Sequence, residues 1–349
     1  MVDVLTFFKT LLFSLQNGKS VSQALESLRL SSTSKKEKKV YLKIESEIKD
    51  GKKLSDALLH VKLFSYETIE FVTLAEKSTV FHQALAQIVD FLEVKERFLK
   101  ESSDKITLPF VYFSLAAIIV ISLQFFVIPF QIEQTTQYDD KIRALISEHL
   151  STAVLLTNIL FVMLVLIGSY FFIFISAIST SSKMAQSITK NIAVHLPFVS
   201  TIVMKFEKFV LLSMLGHLLQ SGISFKISLE GAYYSTTIRV YKKIFINILK
   251  ELKVGKKSFY KNALFNHLEQ QILSSVGATK KLGSTFVDIS DNARQDALLL
   301  SGKFFRLMIV SAIFLMAFAV FIEFFTVVLT QILIQKGMIN AVDAVRSGF

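Results

Sequence analysis

The sequence predicts an all-α integral membrane protein with two homologous cytoplasmic helical-bundle domains and three transmembrane helices. Three observations predict it. Long, nearly uncharged apolar runs occur three times. The two hydrophilic segments that these runs delimit share sequence blocks at one offset. Pro and Gly number only 3 and 12 in 349 residues, as long unbroken helices require. Hydrophobic residues make up 52% of the chain, Phe alone contributes 33, and charged residues are 19%. That charged share falls below the roughly 25% of a soluble domain, and the apolar content excludes disorder. The absence of Cys rules out a disulfide framework, Cys-ligated zinc or iron–sulfur sites, and thiol catalysis.

Residues 1–105 read as the first helical domain. Leu5, Phe8, Leu12 and Leu15 recur at three- and four-residue steps and predict one apolar stripe. Asn17-Gly18 closes that helix, and Ser20-Val21-Ser22-Gln23 has capping-box spacing for the next. Val40, Ile44 and Ile48 predict a further stripe, ended by Asp50-Gly51. No segment alternates as a strand would.

A hydrocarbon core of about 30 Å needs about 20 apolar helical residues. Residues 106–130 and 152–178 supply uncharged runs of 25 and 27 residues, and residues 304–334 form the third span. In the third, Arg306 lies near the start and Glu323 is the single internal acid. Between the first two spans, residues 131–151 form a short loop.

Charge sets the expected orientation. Residues 1–105 hold 17 Lys and Arg against 15 Asp and Glu, and residues 180–303 hold 17 against 7. Residues 131–150 hold 2 against 4. Basic segments are retained in the cytoplasm, so the N-terminus and residues 179–303, the second domain, lie inside. The short loop and the tail 335–349 then lie outside. Asp3 and Lys9 interrupt the first apolar residues, so no signal peptide is expected.

The second domain reads as a repeat of the first. Leu15-Gln16-Asn17-Gly18-Lys19-Ser20 realigns with Leu219-Gln220-Ser221-Gly222-Ile223-Ser224, and Gly51-Lys52-Lys53 with Gly255-Lys256-Lys257, both displaced by 204 residues. A duplicated helical domain is expected from two blocks at one offset.

Catalytic motifs do not emerge. Gly18-Lys19-Ser20 lacks the Gly that a phosphate-binding loop needs at position 13, which is Phe13, and follows a helix rather than a strand. The six His show no pair at helical ligand spacing. Neither a cofactor nor a metal is expected, and the chain does not read as an enzyme. A polytopic transporter is the alternative, or another membrane-anchored adaptor. A transporter should show broken helices and several mid-membrane ionisable groups.

The whole chain resembles the F-family inner-membrane platform proteins of type II secretion systems, type IV pili and competence pseudopili. The resemblance rests on Leu11-Leu12, Leu15-Gln16-Asn17-Gly18-Lys19-Ser20 and Leu218-Leu219-Gln220-Ser221-Gly222-Ile223-Ser224. It also rests on Leu196-Pro197 followed by Lys205-Phe206-Glu207-Lys208-Phe209, and on Leu108-Pro109 and Ile128-Pro129-Phe130 around the first span. The family's Gly-Glu-x-x-Gly-x-Leu motif appears as Ala75-Glu76-Lys77-Ser78-Thr79-Val80-Phe81, keeping the acid but neither Gly. In the second copy it is Gly277-Ala278-Thr279-Lys280-Lys281-Leu282, which keeps one Gly and loses the acid.

The resemblance implies a non-enzymatic scaffold of the bacterial inner membrane. It would couple a hexameric cytoplasmic ATPase to insertion of pilin or pseudopilin subunits into a fibre. Implied partners are that ATPase, the pilin, other inner-membrane assembly proteins, further copies of the chain and membrane lipid, with no nucleic acid. Glu76 is the partner-binding candidate that the resemblance supplies. The basic cluster of the second domain supplies Lys253, Lys256 and Lys257. The third span supplies Glu323 and Thr326, placed by the helical period on one stripe with Ala312, Met316, Ala319 and Thr330.

Overall fold

The computed structural model describes residues 3–61, 63–78, 81–135, 137, 140–179, 183–254, 259–276 and 279–347. Thr79, Val80, Gly255, Lys256, Lys257, Gly277 and Ala278, all named in the motifs above, lie outside the described residues. Among the described residues there is no strand. The helices are α1 (Val4–Gln16), α2 (Val21–Ser31), α3 (Lys35–Lys49), α4 (Leu54–Val61), α5 (Tyr66–Ala75) and α6 (Phe81–Ser122). A π-helical turn (Leu123–Val127) leads to α7 (Ile128–Thr135), then α8 (Asp140–Ser179), α9 (Lys183–Ala193) and α10 (Val199–Gln220). The last four are α11 (Phe225–Ser235), α12 (Arg239–Lys253), α13 (His267–Ser275) and α14 (Thr279–Ser347).

Residues 1–102 and 174–301 form one compact unit, and residues 103–173 and 302–349 form a second. The two hydrophilic segments therefore pack together. In the first unit, local chemistry sets the helix ends. Asp3 accepts hydrogen bonds from the Leu5 and Thr6 amides at the start of α1. Ser20 and Gln23 form the reciprocal capping box expected of them. Gly18 and Gly222 close α1 and α10 at φ 77° and 85°, a left-handed conformation that disfavours any Cβ. Adding 204 to the bounds of α2 and α3 reproduces those of α11 and α12.

The buried face of α1 differs from the expected stripe. Phe7, Phe8, Leu11 and Ser14 are buried, whereas Leu5, Leu12 and Leu15 are half-buried. Two adjacent Phe rings decide the rotation, because both must leave water. Phe7 and Phe8 lie 5.3 and 5.9 Å from Phe64, and Phe7 stacks 6.0 Å from Tyr41. On α3 the buried residues are Tyr41, Ile44 and Glu45 rather than Val40 and Ile48. Glu45 is tolerated there because Arg29 and Lys49 pair with it at 2.9 and 2.7 Å.

Helix α10 is the centre of this unit. It is buried around its whole circumference, every residue from Phe206 to Leu219 being buried, as a helix with neighbours on all sides must be. Phe206 on α10 stacks 4.7 Å from Phe98 on α6. Helix α11 approaches α5 so closely that a Cβ at Gly231 would fall 2.0 Å from Leu74 Cδ1.

In the second unit, Ala116, Val120, Leu123, Ala153, Leu160, Leu164, Ala312, Leu315 and Ala319 form a shared buried seam. Small residues suit close helix packing where lipid offers no hydrophobic drive. The π turn precedes Pro129, which has no N–H to donate to the carbonyl four residues back. The Ile128 amide instead reaches Leu123 O. Within that widened turn, Gln124 donates to Asn158 Oδ1 at 2.9 Å.

Candidate functional site

Three helices are long and apolar enough to cross a membrane: Phe81–Gln134, Ile146–Ile178 and Lys281–Ile339. Only 22–28% of their most apolar windows is buried within the protein. Phe125, Phe126, Leu166, Phe172, Phe314 and Phe324 are exposed, an outward apolar surface that suits lipid.

The chemistry of the first unit converges on a buried ionic junction that joins its two segments. Lys190 of α9 is 2% exposed and donates to Glu207 of α10 at 2.7 Å. It also reaches Glu67 of α5 at 3.5 Å. Gln186 donates to the same Glu67 oxygen at 2.9 Å, and Thr236 donates to the other oxygen of Glu207 at 2.6 Å. Lys95 of α6 faces the second oxygen of Glu67 at 3.7 Å. Burial alone would raise the Glu67 carboxyl, but Lys95 and Lys190 outweigh it and hold the pKa at about 2. Burial likewise opposes the charge on Lys190, and Glu207 and Glu67 overcome it, so its pKa is raised. Ammonium and carboxylate groups alternate through the junction, Lys95, Glu67, Lys190 and Glu207, so its charge is balanced.

A second pair follows on α10. Lys208 donates to Glu269 at 2.6 Å, and Glu269 forms the capping box of α13 with Asn266. Burial lowers the Lys208 pKa despite that partner. Lys205 pairs with Asp296 at 2.7 Å. These two lysines, Tyr241 and Phe265 border an open cavity of about 510 Å³. With both ammonium groups ion-paired, the described residues that line the cavity present neither a free cation nor a nucleophile beside a base. Among the described residues, no three His, Asp or Glu side chains converge in a metal-binding arrangement.

The residues singled out from sequence each have their own local setting. Glu76 follows α5 and accepts from the Ser55 amide at 3.1 Å and the Ser55 hydroxyl at 2.6 Å. It thus ties the start of α4 to the end of α5. Lys253 is exposed in the last turn of α12 with Lys250, where cations complement the helix dipole; Lys256 and Lys257 lie outside the described residues. On α14, Ala312, Ala319, Thr326 and Thr330 are buried and Met316 is half-buried. Glu323 does not share their face: it is exposed, and Ile322 takes the buried position. Thr326 donates to Ile322 O at 2.6 Å.

Glu67, Lys190 and Gln186 were not legible as a site. Glu207 stood within the Lys205–Phe209 motif, where an acid inside an apolar helix was the available signal. Residues 7–129 match the family model of type II secretion system protein F. The chain carries a type II secretion system F domain. That match runs from Phe7 within α1 to Pro129 at the start of α7, and therefore includes Glu67, Glu76 and Lys95. No curated protein matches the chain. Proteins of the F family are structural membrane platforms of secretion and pilus systems. The F domain and the three apolar helices together make this a multi-pass membrane protein of the inner membrane.

Proposed function

We propose that this chain is the platform on which a cytoplasmic assembly ATPase drives pilin or pseudopilin subunits from the membrane into a fibre. The observation that carries the reading is the F domain joined in one chain to three membrane-length helices. The coincidence of α2 and α3 with α11 and α12 at one offset supports duplication of the cytoplasmic domain. The work comes from ATP hydrolysis in the partner, and the buried junction between the two segments suits transmission of force.

The exposed basic end of α12, with Lys250 and Lys253 and the neighbouring Lys256 and Lys257, is the ATPase-facing surface in this reading. Purification of the tagged full chain from its native membranes should retain an ATPase and a pilin-like subunit. Lys253→Glu, Lys256→Glu and Lys257→Glu together should weaken ATPase retention most at low salt, with the difference from the parent shrinking as salt rises. Glu76→Ala should leave insertion intact and reduce fibre assembly. A purified chain that retains neither partner, from cells whose fibres persist without it, would refute the proposal.

A further inference from the structure

Helix α9 is inside out. Amphipathic helices of soluble units bury the apolar stripe and expose the polar one. Helix α9 buries Gln186, Lys190 and Ala193 and exposes Met184, Ile188 and Ile192 at 76%, 53% and 47%. At 100° per residue the three exposed side chains span about 80° of the helix, opposite the buried face. The ionic junction explains the inward face, because Lys190 must reach Glu207 and Glu67. It does not explain why the outward face is apolar. Four-residue spacing of Met and Ile has no use in water.

We infer that α9 lies in the interface of the bilayer the chain itself spans, with Met184, Ile188 and Ile192 turned into the headgroup–acyl boundary. Three observations choose this occupant. The apolar segment of α8 ends at Ile178, and Met184 follows six residues later. At no more than about 3.6 Å per residue, that tether holds α9 within roughly 20 Å of the membrane end of the span. The flank is basic: the Arg239 amide donates to Asn191 Oδ1 of α9 at 3.2 Å, and Asn191 donates to Thr237 O at 3.0 Å. These bonds seat the start of α12 beside α9, and Arg239 and Lys243, one turn apart, are exposed. Cations beside an exposed aliphatic stripe match an anionic bilayer surface. Finally, the stripe is too small for a stable contact with a second copy. Three aliphatic side chains offer far less than the roughly 800 Å² per partner that such interfaces bury.

The lack of Cys makes the test direct. The full chain, reconstituted in phosphatidylethanolamine–phosphatidylglycerol vesicles, carries one fluorophore at Ile188→Cys or Ile192→Cys. Ile118→Cys in the first span is the buried-in-lipid reference and Lys53→Cys the aqueous reference. Lipid-borne nitroxide should quench positions 188 and 192 several-fold more than position 53, and towards the level at 118. Quenching at 188 and 192 no greater than at 53 would overturn the inference. So would disulfide formation between copies at Ile188→Cys without lipid quenching, which would assign the stripe to a second chain. Neither readout depends on fibre assembly, so the inference fails or stands separately from the platform function.

Discussion

Lys190 is the residue on which the first unit depends most. Its ammonium group is the shared partner of two buried carboxylates. Lys190→Met keeps the volume and removes the charge, leaving Glu207 with Thr236 and Glu67 with Gln186 and Lys95. Breaking one side of such a pair costs about 3–5 kcal/mol, so the detergent-solubilised variant should melt well below the parent. A melting temperature within a degree of the parent would remove the junction as a determinant of stability. His217 gives a second, pH-dependent reading. It is buried on α10, bonded through Nδ1 to Gln87 Oε1 at 2.6 Å, and burial lowers its pKa from 6.5 to about 4. A depressed basic group favours the unfolded state as protons are added. Its stability contribution is therefore complete above pH 6.5 and is lost as pH falls towards 4, by roughly 3 kcal/mol in all. Glu67 loses its own contribution lower, from about pH 4.5 towards 2. His217→Gln should flatten the melting temperature between pH 6.5 and 4.5; an unchanged slope there would assign the dependence to other groups.

At the scale of helices, close approach is set by glycine in one place and left open in another. A Cβ at Gly216 of α10 would meet Gly283 O of α14 and Val287 Cγ2, each at 2.7 Å, and backbone cannot swing aside. Gly216→Ala should destabilise the chain by about 1–3 kcal/mol, as overpacking does. Gly302, further along α14, has no atom within 4 Å of the corresponding position. Gly302→Ala should instead stabilise by about 0.5–1 kcal/mol. Equal effects at the two positions would contradict the geometry, and thermal unfolding of both variants decides it. What was legible in the sequence was local. Capping at Ser20 and Gln23, closure at Gly18 and Gly222, and the apolar spans all follow from neighbouring residues. The faces of α1 and α3 were misplaced because periodicity ranks side chains by type, whereas packing ranks them by which rings and ion pairs can share a space. The face of α9 was illegible for a stronger reason. Its direction is dictated by Glu67, 123 residues away from Lys190, and no window of sequence contains both.

At the scale of the whole molecule the question is which side of the membrane each hydrophilic part occupies. The expected arrangement keeps residues 180–303 inside, because Lys183 and Lys190 follow the second span closely, Arg294 and Lys303 precede the third, and cations within about 15–20 residues of a span end favour retention. Residues 1–105, separated from it by two spans, must then lie on the same side, in keeping with the packing of the two segments into one compact unit. The same arrangement would put the connection around Gln137 and the end of α14 beyond the third span on the other side. Single Cys substitutions at Lys53, Gln137 and Lys253 read this arrangement against a background free of thiols. All three positions are exposed, so the membrane rather than burial should decide their reactivity. A membrane-impermeant maleimide applied to intact cells, with any outer membrane permeabilised, should label Gln137→Cys alone. After lysis Lys53→Cys and Lys253→Cys should react to the same extent. Labelling of Lys53→Cys but not Lys253→Cys in intact cells would place the two segments on opposite sides, which the Lys190–Glu67 pair forbids. Labelling of both, with Gln137→Cys protected, would invert the protein and remove the cytoplasmic face on which an ATPase could act.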